Sequence, residues 1–152
     1  MTIALPPWLA YGVTLAICAL ALWQGRWEER ASAAGQLANI ALTVVWRDHS
    51  WPAVQRGAFV ADLLFFAFLL VIALRTTRYW PLAAAAFALL AVLTHLAKMI
   101  DPALQQWAYI TAGVIWTYSI LAAIGVGTWN SWRTRRQPTV MAVRDPGVAT
   151  RR

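Results

Sequence analysis

Residues 31–46 read ASAAGQLANIALTVVW, and the fold turns on whether this stretch crosses a membrane. Its polar residues Ser32, Gln36, Asn39 and Thr43 recur at spacings of four, three and four, which places them in one stripe on a helix. An interfacial helix would lie flat with that stripe in water, but such helices usually carry Lys or Arg there. This stripe has no charge. Uncharged amides and hydroxyls are what a helix bundle uses as interhelical glue. Trp27 and Trp46 bracket the stretch at about 29 Å of helix, a plausible belt-to-belt distance. The expectation is a span whose polar stripe faces a bundle, with an interfacial helix as the alternative.

Four neighbouring stretches are more plainly apolar. Residues 59–74 (FVADLLFFAFLLVIAL) are the most hydrophobic and hold a single charge, Asp62. Residues 107–129 (WAYITAGVIWTYSILAAIGVGTW) are long enough as a helix for a hydrocarbon core of about 30 Å. Residues 5–22 and 80–97 complete the set, and Pro81 stands near the first turn of its helix, where proline is tolerated. The expected fold is an all-α polytopic transmembrane bundle in residues 1–132. Its spans lie at about 5–23, 31–46, 57–74, 80–98 and 107–129. Residues 133–152 read as a basic, disordered cytoplasmic tail. Four spans plus an interfacial helix is the alternative fold.

Composition agrees. Of 152 residues, 61% are hydrophobic and 12% are charged, against about 25% charged in ordinary soluble domains. Mean hydropathy is +0.55. A disordered chain, a soluble enzyme of normal surface and a disulfide-built module are excluded. The net charge of +7 does not indicate nucleic acid, because the cations sit between apolar runs and in the tail rather than on a soluble face. Cys18 is the only cysteine, so no intrachain disulfide forms. Residues 1–7 contain no Lys or Arg, so the first segment reads as an anchor rather than a cleaved signal.

Charge placement sets an expected orientation. With five spans, Arg26, Arg30, Arg75, Arg78 and six tail arginines fall on the inner side, and Arg47, Arg56 and Lys98 on the outer side. Removing the 31–46 span weakens this asymmetry. The reading puts the N-terminus in the periplasm and the C-terminus in the cytoplasm. Of ten tryptophans, only Trp116 lies well inside a span, and the rest suit an aromatic belt.

Asp62 leads the candidate site residues, since a charge within a span is by default a functional hypothesis. His95 lies on the next segment, and the hairpin centred near residue 77 brings the two to similar depth. Carboxylate and imidazole there could hydrogen-bond or exchange a proton. The bland alternative is a polar pair that locks the hairpin. His95, Lys98 and Asp101 follow at helical spacing, and Asp101-Pro102 ends the helix. His49, Lys98, Asp101 and Tyr109 could join Asp62 and His95 in an outer-face pocket. Tyr118, near mid-membrane, could bond to the Gln36/Asn39 stripe. Gly125 and Gly127 suit close helix packing. No metal-ligand spacing, phosphate loop or nucleophile elbow is present, no paired histidines suit haem, and no cofactor is expected.

The run from Ala73 to Leu82 (ALRTTRYWPL), followed by Thr94–Lys98 (THLAK), Asp101-Pro102 and Gly125, Gly127, Thr128 and Trp129, carries a resemblance. Over roughly residues 60–130 the chain resembles a group of small, uncharacterised multi-spanning inner-membrane proteins of alphaproteobacteria. That resemblance implies a bacterial inner-membrane location and transfers no active site. The leading functional expectation is a non-catalytic accessory or structural subunit that packs against a membrane protein partner, or a homo-oligomer, in the lipid bilayer. A small transporter or proton-relay unit using Asp62 and His95 is the first alternative. A membrane enzyme acting on a lipid or quinone at the outer face is the second.

Overall fold

Only Gly25 and Arg26 separate the first two helices, and glycine is required there. A Cβ at position 25 would collide with the Ala21 carbonyl oxygen and come within 2.7 Å of Glu29 Cβ. The computed structural model describes residues 7–46 and 56–136, and every regular element among them is an α-helix. The order is α1 (Pro7–Gln24), α2 (Trp27–Val45), α3 (Arg56–Arg75), α4 (Trp80–Ile100) and α5 (Gln106–Arg136). Each helix packs on its neighbours in sequence, α5 returns to α1, and α2 touches α5 across the ring. Short links make the neighbours antiparallel. The α1–α2 link, the α3–α4 link and the end of α5 therefore meet at one end, with the α4–α5 link at the other.

The helix boundaries differ from the sequence expectation at two informative places. Helix α2 begins at Trp27 rather than residue 31. The Glu29 carboxylate accepts the Arg26 backbone N–H at 2.7 Å, half of a capping box, and so starts the helix a turn earlier. Helix α5 continues past residue 132 to Arg136. There Thr134 Oγ1 donates to the Asn130 carbonyl, and the Arg135 guanidinium reaches the carbonyls of Ser131 and Gln24. The boundary between bundle and tail expected at 132/133 thus falls inside a helix.

Helices α3, α4 and α5 are long and apolar enough to cross a membrane, and Tyr11–Gln24 of α1 is a shorter apolar helix. Helix α2 is not among the spans by that measure, because Glu28, Glu29, Arg30 and the polar stripe lower its hydropathy. Leu63, Leu64, Phe68 and Val71 of α3 are exposed, as are Leu82 and Leu93 of α4. Such apolar exteriors suit lipid.

In the half of the bundle nearer the α3–α4 link, Cys18, Ala33, Phe65, Leu69, Leu121 and Ile124 form an apolar core with small residues of α4. Ala84, Ala85 and Ala88 let α4 approach its neighbours closely, which is how membrane helices associate without a hydrophobic drive. Gly127 serves the same end, since a Cβ there would meet Trp80 Cε2 at 2.6 Å. Gly125 has nothing within contact distance of such a Cβ, so packing accounts for Gly127 alone. Gly127→Ala should cost about 1–3 kcal/mol through overpacking, read as a lower midpoint in detergent denaturation. An unchanged midpoint would show that the Trp80 ring moves freely.

Candidate functional site

The other half of the bundle is open. A cavity of about 450 Å³ lies there, lined by residues from all five helices. That volume falls in the range of small-molecule sites. Tyr11 and Thr14 of α1, Gln36, Asn39 and Thr43 of α2, Asp62 of α3, Thr94 and His95 of α4, and Tyr109, Tyr118 and Gly113 of α5 contribute. The α4 stripe that supplies the alanines of the packed half continues through Ala91 to His95 and Lys98, so one helix face serves both halves.

A chain of hydrogen bonds crosses the cavity wall. Asn39 Nδ2 donates to Asp62 Oδ1 at 2.9 Å. His95 Nε2 lies 3.0 Å from Asp62 Oδ2, and the Tyr109 hydroxyl lies 2.7 Å from His95 Nδ1. Four residues on α2, α3, α4 and α5 are thereby joined. His95 is buried, while Asp62 is half-buried. Phe59 and Tyr109 both meet the His95 ring edge-on, at centroid distances of 6.0 Å and 5.5 Å, and fix its plane.

The arrangement suits either protonation state of the imidazole. Neutral His95 donates from Nε2 to the Asp62 carboxylate and accepts the Tyr109 hydroxyl proton at Nδ1. Protonated His95 donates from both nitrogens, and the Tyr109 oxygen turns from donor to acceptor. Both ring nitrogens are engaged by side chains and keep a partner through the change. Among the described residues no group of three or more His, Cys, Asp or Glu could hold a metal ion.

The remaining sequence candidates separate. Lys98 is buried and donates to the carbonyls of Pro102 and Leu104, which closes the α4–α5 link. Asp101 is exposed, and its carboxylate accepts the Ala103 N–H at 3.0 Å in the turn. Neither lines the cavity, so the expected outer pocket loses them and keeps Tyr109. His49 lies outside the described residues. Ser32 is buried deeper along α2, whereas Gln36, Asn39 and Thr43 line the cavity with Tyr118. Trp116 donates from Nε1 to Thr94 Oγ1 at 2.9 Å and ties α5 to α4.

A second polar centre, at the opposite end, is not among the sequence candidates. Glu29 is fully buried, and its Oε1 accepts from Arg78 Nη1 at 3.0 Å and Ser131 Oγ at 2.7 Å. Arg78 Nη1 also reaches Ser131 Oγ at 2.6 Å, and Thr76 Oγ1 donates to Glu28 Oε1 at 3.5 Å. In the sequence Arg78 stands out only as a topology charge. An acidic pair just after a Gly-Arg break is the signal for this centre, since it marks a helix start. Compared with protein families, curated proteins and solved structures, the chain matches none.

Proposed function

We propose that this chain is a five-span membrane bundle whose Asp62–His95 pair takes up and releases a proton at the cavity, as a small transporter or proton-relay unit. The observation that carries this reading is the bracketing of His95 by Asp62 Oδ2 at 3.0 Å and the Tyr109 hydroxyl at 2.7 Å. A histidine whose two ring nitrogens keep partners in both charge states can gain and lose a proton in place. Helices α1 and α2 count as spans here because they run alongside α3 and α5, with the α2 polar stripe turned into the bundle. Arg26, Arg30, Arg75, Arg78, Arg133, Arg135 and Arg136 gather at the Glu29 end, against Arg56 and Lys98 at the other among the described residues. The positive-inside rule then makes the Glu29 end cytoplasmic and the cavity end periplasmic. The resemblance to alphaproteobacterial membrane proteins supports the inner membrane.

Proton counting tests the reading. Purified protein in weakly buffered detergent is taken through an acid jump, and uptake is followed with a pH dye. The wild type should take up about one proton per chain more than His95→Gln over the jump. Equal uptake by the two would overturn the proposal.

The accessory-subunit reading is favoured by the same hydrogen bonds taken as a lock between four helices, with a membrane partner or second copy outside. It expects Asp62→Asn and His95→Gln to lower stability while uptake stays at the wild-type level.

A further inference from the structure

We propose that the polar face of α2 holds a column of buried water that conducts protons between the His95 cavity and the Glu28–Glu29 end of the bundle. The inference rests on the relay reading and extends it: a proton handled by Asp62 and His95 crosses the chain instead of returning to the side it came from.

Four side-chain atoms on successive turns of α2 are buried with no hydrogen-bonding partner among the described residues. They are Glu28 Oε2, Ser32 Oγ, Gln36 Oε1 and Asn39 Oδ1. Glu28, Ser32 and Gln36 are 5%, 0% and 2% exposed. Spacings of four, four and three keep them on one helix face over about 16 Å. Unpartnered polar atoms are costly in a dry interior. Buried water is their ordinary partner, each molecule making about three hydrogen bonds. The core residues Leu69, Leu121 and Ile124 are apolar and give such water no hydrogen bond.

Both ends of the face meet proton-exchanging groups. At one end Gln36 and Asn39 open into the cavity, and the Asn39 amide holds Asp62. At the other, Glu28 has one oxygen bonded by Thr76 and one left for a proton. Arg78 and Glu29 form an ion pair beside it, and the Arg78 side chain is 24% exposed, so water reaches this end. The charged groups facing the path are thus Asp62 and His95 at one end and Glu28, Glu29 and Arg78 at the other. Ser32 and Gln36 between them orient water without trapping the proton. A proton received by His95 hops along this file and leaves from the Glu28 carboxylate to bulk water. No heavy-atom bond changes, and the charge moved is balanced by counter-ions.

The test uses the full chain in liposomes loaded with a pH dye, with a potassium diffusion potential set by valinomycin. Wild-type vesicles should change internal pH faster than protein-free vesicles. Gln36→Met removes the amide at nearly constant shape, and Ser32→Ala removes a hydroxyl without a protein partner, so both should fold. Both should bring the rate down toward the protein-free level, and Ser32→Ala, which lies outside the cavity lining, should keep the His95-dependent uptake measured in detergent. Wild-type vesicles no faster than protein-free ones overturn the conduit, and a persisting uptake leaves the relay reading intact. Wild-type flux in both variants also overturns the conduit. Flux that survives Asp62→Asn and His95→Gln would instead overturn the relay reading and leave the path standing.

Discussion

Glu29→Ala should cost about 3–5 kcal/mol of stability, the range for breaking a buried ion pair by removing one partner. Glu29 is fully buried and accepts from three donors on three segments: the Arg26 backbone, Arg78 and Ser131. Its loss uncaps α2, leaves the Ser131 hydroxyl buried without that acceptor and strands the Arg78 guanidinium. Arg78 is partly exposed and relaxes toward water, which places the cost at the lower end of the range. The measurement is reversible denaturation in mixed micelles. Glu29→Ala combined with Arg78→Met should recover much of the loss, because the stranded charge goes too. A double variant no better than the single would show that the cap and Ser131, not the ion pair, hold this end.

Asp62 gives the second large effect, and two substitutions separate its roles. Asp62→Ala leaves His95 Nε2 and the Asn39 amide without their common acceptor. The expected cost is about 1–3 kcal/mol, since the Asp62 side chain is 23% exposed and water replaces part of the loss. Asp62→Asn keeps a carbonyl oxygen for the imidazole and removes the negative charge. It should therefore stay close to the wild type in melting while losing the proton uptake of the pair. Melting of both variants in detergent, beside the uptake measurement, reads the two effects separately. An Asp62→Asn protein that melts early and still takes up its proton would make the quartet a lock and favour the accessory-subunit reading.

Much of the site is legible in the sequence. Asp62 and His95 match in depth because they flank a tight hairpin, and the rise of a helix is fixed. The same geometry applies to Asn39, which with Asp62 is equidistant from the middle of the α2–α3 link. That pairing is harder to read, because ten residues separate α2 from α3. Lys98 and Asp101 share a helical face with His95, but periodicity carries no information on where a chain turns back. The link after Ile100 folds over and takes both residues for its own carbonyls and amides.

The medium and the elements follow from the order of residues alone. Long apolar runs, a low charge content and tryptophans at their ends demand helices in a bilayer, since each helix satisfies its own backbone. The uncharged polar stripe of α2 follows in the same way. What that stripe does depends on packing between helices. The apolar core rests on which small residues meet which rings, as Gly127 of α5 meets Trp80 of α4. The cavity exists because that packing stops short of the helix ends. The burial of Glu29 beside Arg78, and the meeting of Tyr109 with the far nitrogen of His95, join residues far apart in the chain. Such pairings depend on how helices rotate about their axes, and a sequence of amphipathic elements leaves that rotation open until all five pack together.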